Sequence, residues 1–327
     1  MEGKDARASL TSDSLFDIME TKDTAQSHVG KGASTLGNTY LLKNQELTVS
    51  ICALGAEVVS VKRGNCEYIW QGDKAYWGSR APLMFPICGR LFAQTYTHAG
   101  QSYQLGNHGF ARHSVFSVER VTDVEAVFVL TSTPEIRAVY PFDFRLTVTY
   151  RLDGAKLTTT AVIRNTGSEI LPATFGGHPG FNVPLEGDGA FDSYYLEFGE
   201  ACSPDRIEMS DTCFLTGKRS AYPLQNGRIL PLRHSLFSVD AVFLSRVANR
   251  VTLRSPTTAR AVTLEYPDMP YLGVWHAPRT EAPYVCIEPW CGLPAYDGEI
   301  EEITARHDMF RICAGEEKSV SFAVWFE

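Results

Sequence analysis

The chain has 327 residues, with 30 Lys and Arg against 38 Asp and Glu, a formal charge of −8. That balance ranks nucleic acid and anionic membrane surfaces low as partners, because both select basic faces. No apolar run approaches the roughly eighteen residues of a membrane span and the first residues lack the blocks of a secretory signal, so the expected setting is cytoplasmic, away from membranes. Cys52, Cys66, Cys88, Cys202, Cys213, Cys286, Cys291 and Cys313 are scattered singly, without CxxC spacing. Several fall in apolar stretches, where buried free thiols are expected.

Residues 1–36 are rich in Ser, Thr, Asp, Lys and Gly and read as a disordered extension, with at most a weak amphipathic helix over Ser14–Glu20. From Thr39 onward the period is two, the mark of half-buried strands. Leu47, Val49 and Ile51 alternate with Thr48 and Ser50. Further strands are expected over Val115–Val121 and Ala126–Ser132, then a hairpin: Leu146, Val148, Tyr150 and Leu152 alternate, Asp153 and Gly154 turn, and Leu157, Thr159, Ala161 and Ile163 resume. Tyr194–Phe198, Val251–Arg254, Val262–Tyr266, Leu272–His276, Tyr284–Ile287 and Ser319–Phe326 complete the set. No segment sustains a helical period over three turns, and no composition break marks a linker after residue 40. The expectation is an all-β fold, a large antiparallel sandwich over residues 37–327.

Gly176, Gly177, His178, Pro179, Gly180 and Phe181 set a proton-exchanging side chain among glycines and a proline, a composition that suggests a non-standard turn. Asn107, His108, Gly109, Phe110, Ala111 and Arg112 make a second histidine turn, and Val285, Cys286, Ile287, Glu288, Pro289 and Trp290 lead an apolar strand into a carboxylate. A carboxylate with one or two histidines on a rigid β scaffold suits general acid and base work. There is no GxSxG serine elbow, phosphate loop or GxGxxG turn. His108, His178 and Glu288 are acceptable zinc ligands, but their positions carry no metal-ligand spacing, so no metal is expected. Tyr76, Trp77, Phe110, Phe181, Trp275 and Trp290 cluster around the same segments, where such rings can face a sugar or fill the core. Arg80, Arg90 and Arg112 could bind hydroxyls or phosphate, or tie carboxylates structurally.

The runs Tyr68–Asp73, Ala75–Gly78 and Arg80–Pro86, with Gly89 and Arg90, resemble the aldose 1-epimerase family, most closely its LacX-like branch. Asn107–Arg112, Gly176–Pro184 and Ile287–Pro294 are similar to that branch's later motifs, in the same order. The resemblance covers about residues 39–326 and implies a galactose mutarotase-like β-supersandwich that interconverts the α and β anomers of an aldohexose without a cofactor. His178 then matches the general acid on the ring oxygen, Glu288 the general base on the anomeric hydroxyl, and His108 a second histidine that polarises the sugar. Arg90 and Asp240 match sugar-binding positions, and Phe181 and Trp275 are taken as sugar-facing rings. Gly177 before His178, and Pro179 to Asn182 after it, depart from galactose mutarotases proper. That pattern and the run ending at Arg112 also occur in relatives acting on hexose 6-phosphates, with Arg112 and Arg80 as phosphate contacts. A non-catalytic sugar-binding protein is the third reading.

Overall fold

The computed structural model describes residues 38–187 and 189–327; the expected extension over residues 1–36 and its candidate helix lie outside them. Alternating apolar residues do what their period dictates. In the strand Phe144–Asp153 every second side chain is buried, and Lys156–Asn165 repeats the pattern. Their register sets Leu146 opposite Ile163, Val148 opposite Ala161 and Tyr150 opposite Thr159, so one face of the hairpin is apolar. The loop is Gly154 and Ala155, one residue on from the expected turn, with Gly154 at φ +54, the sign a tight hairpin requires at its first position.

The hairpin lies within a nine-stranded antiparallel sheet. Its order is Ile229–Pro231, Tyr195–Phe198, Arg250–Arg254, Val262–Glu265, Glu317–Phe326, Lys156–Asn165, Phe144–Asp153, Glu125–Thr131 and Ser117–Val121. An eight-stranded sheet runs Leu215–Ala221, Asp205–Met209, Val242–Ser245, Tyr271–Trp275, Tyr284–Trp290, Gly176–Gly177 and Leu83–Met84, with Gly180–Asn182 also paired to Tyr284–Trp290. A smaller sheet joins Thr39–Lys43, Thr48–Cys52, Val58–Arg63 and Cys66–Glu67. Leu272, Val274, Val285 and Ile287 of the eight-stranded sheet share one apolar cluster with Leu157, Phe322 and Val324 of the nine-stranded one. A Cβ at Gly177 would stand 2.8 Å from the Phe322 ring, so the close approach of the two sheets requires glycine there.

The expected strands are present, with ends shifted by a residue or two; Tyr284–Trp290 continues past Ile287 through Glu288 and Pro289. Thr39–Lys43, Val58–Arg63, Asp205–Met209, Leu215–Ala221 and Val242–Ser245 were not expected as strands. Leu215–Ala221 is an edge strand exposed beyond its first residue, and so carries no apolar alternation to read. The α-helix Pro134–Val139 is a short turn capped by Thr133, whose Oγ1 accepts from the Ile136 amide at 3.3 Å.

Candidate active site

The strand Tyr284–Trp290 is buried along its whole length because both faces are covered. Its pleat turns Val285 and Ile287 into the core between the sheets and sends Tyr284, Cys286, Glu288 and Trp290 to the opposite face. Glu288 is 1% exposed. On one side of it, Gly176 pairs with Trp290 and Gly180 with Cys286, and His178 lies between these two short pairings. Its amide donates to the Pro82 carbonyl at 3.0 Å. The expected non-standard turn is therefore a strand-paired segment. Gly176, Gly177 and Gly180 do not take positive φ; Gly177 is there for closeness to Phe322.

The second histidine does sit in a left-handed turn, with His108 at φ +63 and Gly109 at +72. A Cβ at Gly109 would stand 2.3 Å from the Phe85 carbonyl oxygen, which excludes any other residue from that conformation. The His108 amide donates to Gly89 O at 2.7 Å, and the Gly89 amide donates to His108 Nδ1 at 3.0 Å. Nδ1 thus accepts, and neutral His108 carries its proton on Nε2.

These side chains meet. His178 Nε2 lies 3.3 Å from Glu288 Oε2, to which Trp290 Nε1 donates at 3.2 Å. The His108 and His178 ring centres are 5.5 Å apart; Trp77 covers His178 at 4.8 Å and Trp275 meets it edge-on at 5.6 Å. Arg90 Nη2 is 4.0 Å from Asp240 Oδ2, and Arg112 Nη2 donates to Ser79 Oγ at 3.1 Å. His178, Glu288, His108, Arg90, Asp240, Arg112 and Trp275 all line one cavity of about 220 Å³.

Two expected site residues lie elsewhere. Phe181 is fully buried on the core face, opposite Val285, and lines a small void of about 30 Å³ between the sheets. Strand alternation puts it on the wrong side for a ligand in the larger cavity. Arg80 sits beside Gly72, whose Cβ position is 3.3 Å from the guanidinium carbon, while its amide donates to Glu57. It does not line the cavity. Conversely, Trp77, Met209, Cys213 and Phe243 line the cavity without having been assigned to it. Trp77 was visible as one of the clustered rings; Phe243 alternates with Val242 and Leu244, a signal that Asp240 beside it could have prompted.

Burial governs the charges. It lowers His178 to about 3, helped by the nearby Arg112 cation, and holds His108 well below the ordinary imidazole value, with His178, Arg112 and Arg90 adding to the effect. It raises Glu288 well above the carboxylate range; the Asp240 charge adds to this and the Trp290 hydrogen bond opposes it. A His–Glu contact at 3.3 Å could be an ion pair, but desolvation disfavours charge on both partners. The resting pair is the neutral one, holding a single proton between oxygen and nitrogen. Burial also raises the Cys213 thiol to about 12, helped by its hydrogen bond to Asp240.

The fold of stacked antiparallel sheets is matched by known proteins. The family model for aldose 1-epimerase matches residues 38–296, and this chain belongs to that family. It is therefore an isomerase of the epimerase kind, acting on a small-molecule sugar. The plasmid-encoded protein LacX of Lactococcus lactis subsp. lactis is 34% identical over 265 residues, 78% of this chain and 88% of LacX. The crystal structure of a galactose mutarotase related enzyme from Lactobacillus acidophilus is 33% identical, with TM-score 0.85, covering 89% of this chain and 97% of that one. A galactose mutarotase-like protein from Lactobacillus casei is 31% identical, with TM-score 0.83, over 89% and 100% of the two chains. Among the described residues no helix is long and apolar enough to cross a membrane.

Proposed function

We propose that residues 37–327 form a single aldose 1-epimerase domain that interconverts the anomers of a free aldohexose. The observation that carries this reading is the 3.3 Å contact between His178 Nε2 and Glu288 Oε2, buried in a cavity of about 220 Å³ that suits one monosaccharide. Moving the shared proton from Glu288 to His178 creates a carboxylate base and an imidazolium acid together. The carboxylate takes the C1 hydroxyl proton while the imidazolium protonates the ring oxygen, and the hemiacetal opens. Rotation about C1–C2 and reclosure reverse both transfers and return the pair to its starting state, so no cofactor is consumed. Each group contributes about 10²–10⁴-fold. His108, neutral and donating from Nε2, polarises the oxygens; Arg90 and Asp240 hold hydroxyls, and Trp275 and Trp77 cover the ring's apolar face.

The hexose 6-phosphate alternative relies on Arg112. Among the described residues lining the cavity, Arg90 is set against Asp240 at 4.0 Å and Arg112 is tied to Ser79 Oγ at 3.1 Å, so both guanidiniums already have partners and the balance leaves a phosphate dianion little uncommitted positive charge. That balance favours the free sugar.

Anomer exchange measured by NMR saturation transfer with galactose, glucose and glucose 6-phosphate tests the reading. Glu288→Gln is expected to lower the rate by about 10²–10⁴-fold. Full activity in that variant sinks the base assignment. Saturable sugar binding without any acceleration in the wild type makes the protein a sugar binder instead.

A further inference from the structure

The pleat that delivers Glu288 delivers a second chemically active group. Cys286 stands two residues earlier on the strand Tyr284–Trp290, on the same face, and pairs in register with Gly180, just beyond His178. One ligand-type atom from each of His178, Cys286 and Glu288 lies within 4.8 Å of the other two, and all three residues are buried. An imidazole, a thiolate and a carboxylate make a zinc donor set, and three protein ligands with an open fourth position are the pattern of an accessible zinc site. We propose that His178, Cys286 and Glu288 form a binding site for Zn2+ or a similar divalent transition metal, whose occupation removes the acid–base pair from the sugar and inhibits the enzyme.

The spacing is close to what the ion requires. With metal–ligand bonds of roughly 2.0–2.3 Å, ligands on a tetrahedral zinc stand about 3.4–3.7 Å apart. His178 Nε2 and Glu288 Oε2 are already at 3.3 Å. Bringing in the thiol needs about an ångström of side-chain rotation. Glu288 Oε2 is held by Trp290 Nε1, while Oε1 is buried without a hydrogen-bond partner among the described residues and is available to a cation. His108, which the sequence offered as a third ligand, stays outside the set because its Nδ1 accepts from Gly89. His178 and Glu288 line the cavity, which gives an ion a route to them.

The protons balance simply. An arriving M2+ displaces the Cys286 thiol proton and the proton shared by His178 and Glu288, and both pass to solvent. Because binding releases these protons, affinity rises with pH. The inhibition rests on the epimerase reading; the metal binding does not.

Titration of the full-length, metal-free protein with Co2+ reads the site directly. The expected result is a thiolate-to-cobalt charge-transfer absorption that saturates at one equivalent and is displaced by Zn2+. Cys286→Ala loses that band, keeps its anomer exchange, and resists Zn2+ inhibition by about tenfold or more relative to the wild type. Cys286→Ser, which keeps the volume, decides the question should the alanine variant fail to fold. No band in the wild type, or an undiminished band in the variants, overturns the site. A Cys286-dependent band with sugar turnover unaffected by Zn2+ overturns the inhibition. If the wild type turns over no sugar, the epimerase reading falls while the cobalt band still decides the metal.

Discussion

Glu288 shows how a single residue can be placed at odds with its solvation. Water would ionise it near 4.5, and its burial holds it well above that value. A group whose folded value is raised stabilises the fold fully below its unfolded value, and that stability is lost as pH rises through the folded value. His178 and His108 have the opposite sign: their unfolded value is 6.5, and folding lowers both, so stability is lost as pH falls below about 6.5 towards their folded values. Glu288→Gln removes the first effect and leaves the second. The variant's melting temperature relative to wild type is therefore expected to rise as pH goes from about 5 to 8. A difference that stays flat or shrinks over that range, by calorimetry or fluorescence, rules out a carboxyl held protonated by burial.

Individual strands decide which residues of a motif reach the cavity. Within Gly180–Asn182, Phe181 faces the core because it opposes Val285, and no property of its ring could alter that. Arg80 and Arg112 are similar by residue type, yet Arg112 lines the cavity while Arg80 lies beside Gly72. Arg112→Ala is expected to raise KM for the sugar, and Arg80→Ala to leave KM unchanged while lowering stability modestly. Losing one hydrogen bond from a charged donor costs about 1.5–3 kcal/mol, which sets the KM effect at about 10-fold to 150-fold. Equal KM changes in the two variants would contradict this placement.

Across the whole molecule the two large sheets hold the site in place by packing on each other. Phe322, near the carboxyl end, is 6% exposed and fills the gap that Gly177 leaves, directly behind the segment carrying His178. Phe322→Ala is expected to cost about 3–5 kcal/mol in urea unfolding and also to lower activity, since His178 loses its backing. A loss below about 1 kcal/mol would mean that the sheets close over the cavity without that ring. The period-two alternation, the hairpin turn at Gly154 (to within one residue) and the motif order were legible in the sequence, because strand pleat and turn stereochemistry act over a few neighbouring residues. His178, Glu288, His108, Arg90 and Arg112 could be picked out by residue type and motif, and Asp240 only through the resemblance to the family. That Arg80 and Phe181 stay out of the cavity, that Trp77 and Cys213 enter it, and that Cys286 stands beside His178 and Glu288 were decided only by tertiary structure. Residue spacing is silent on which face a strand turns to the core and which distant loops close over it, because both follow from pairing between segments far apart in the chain.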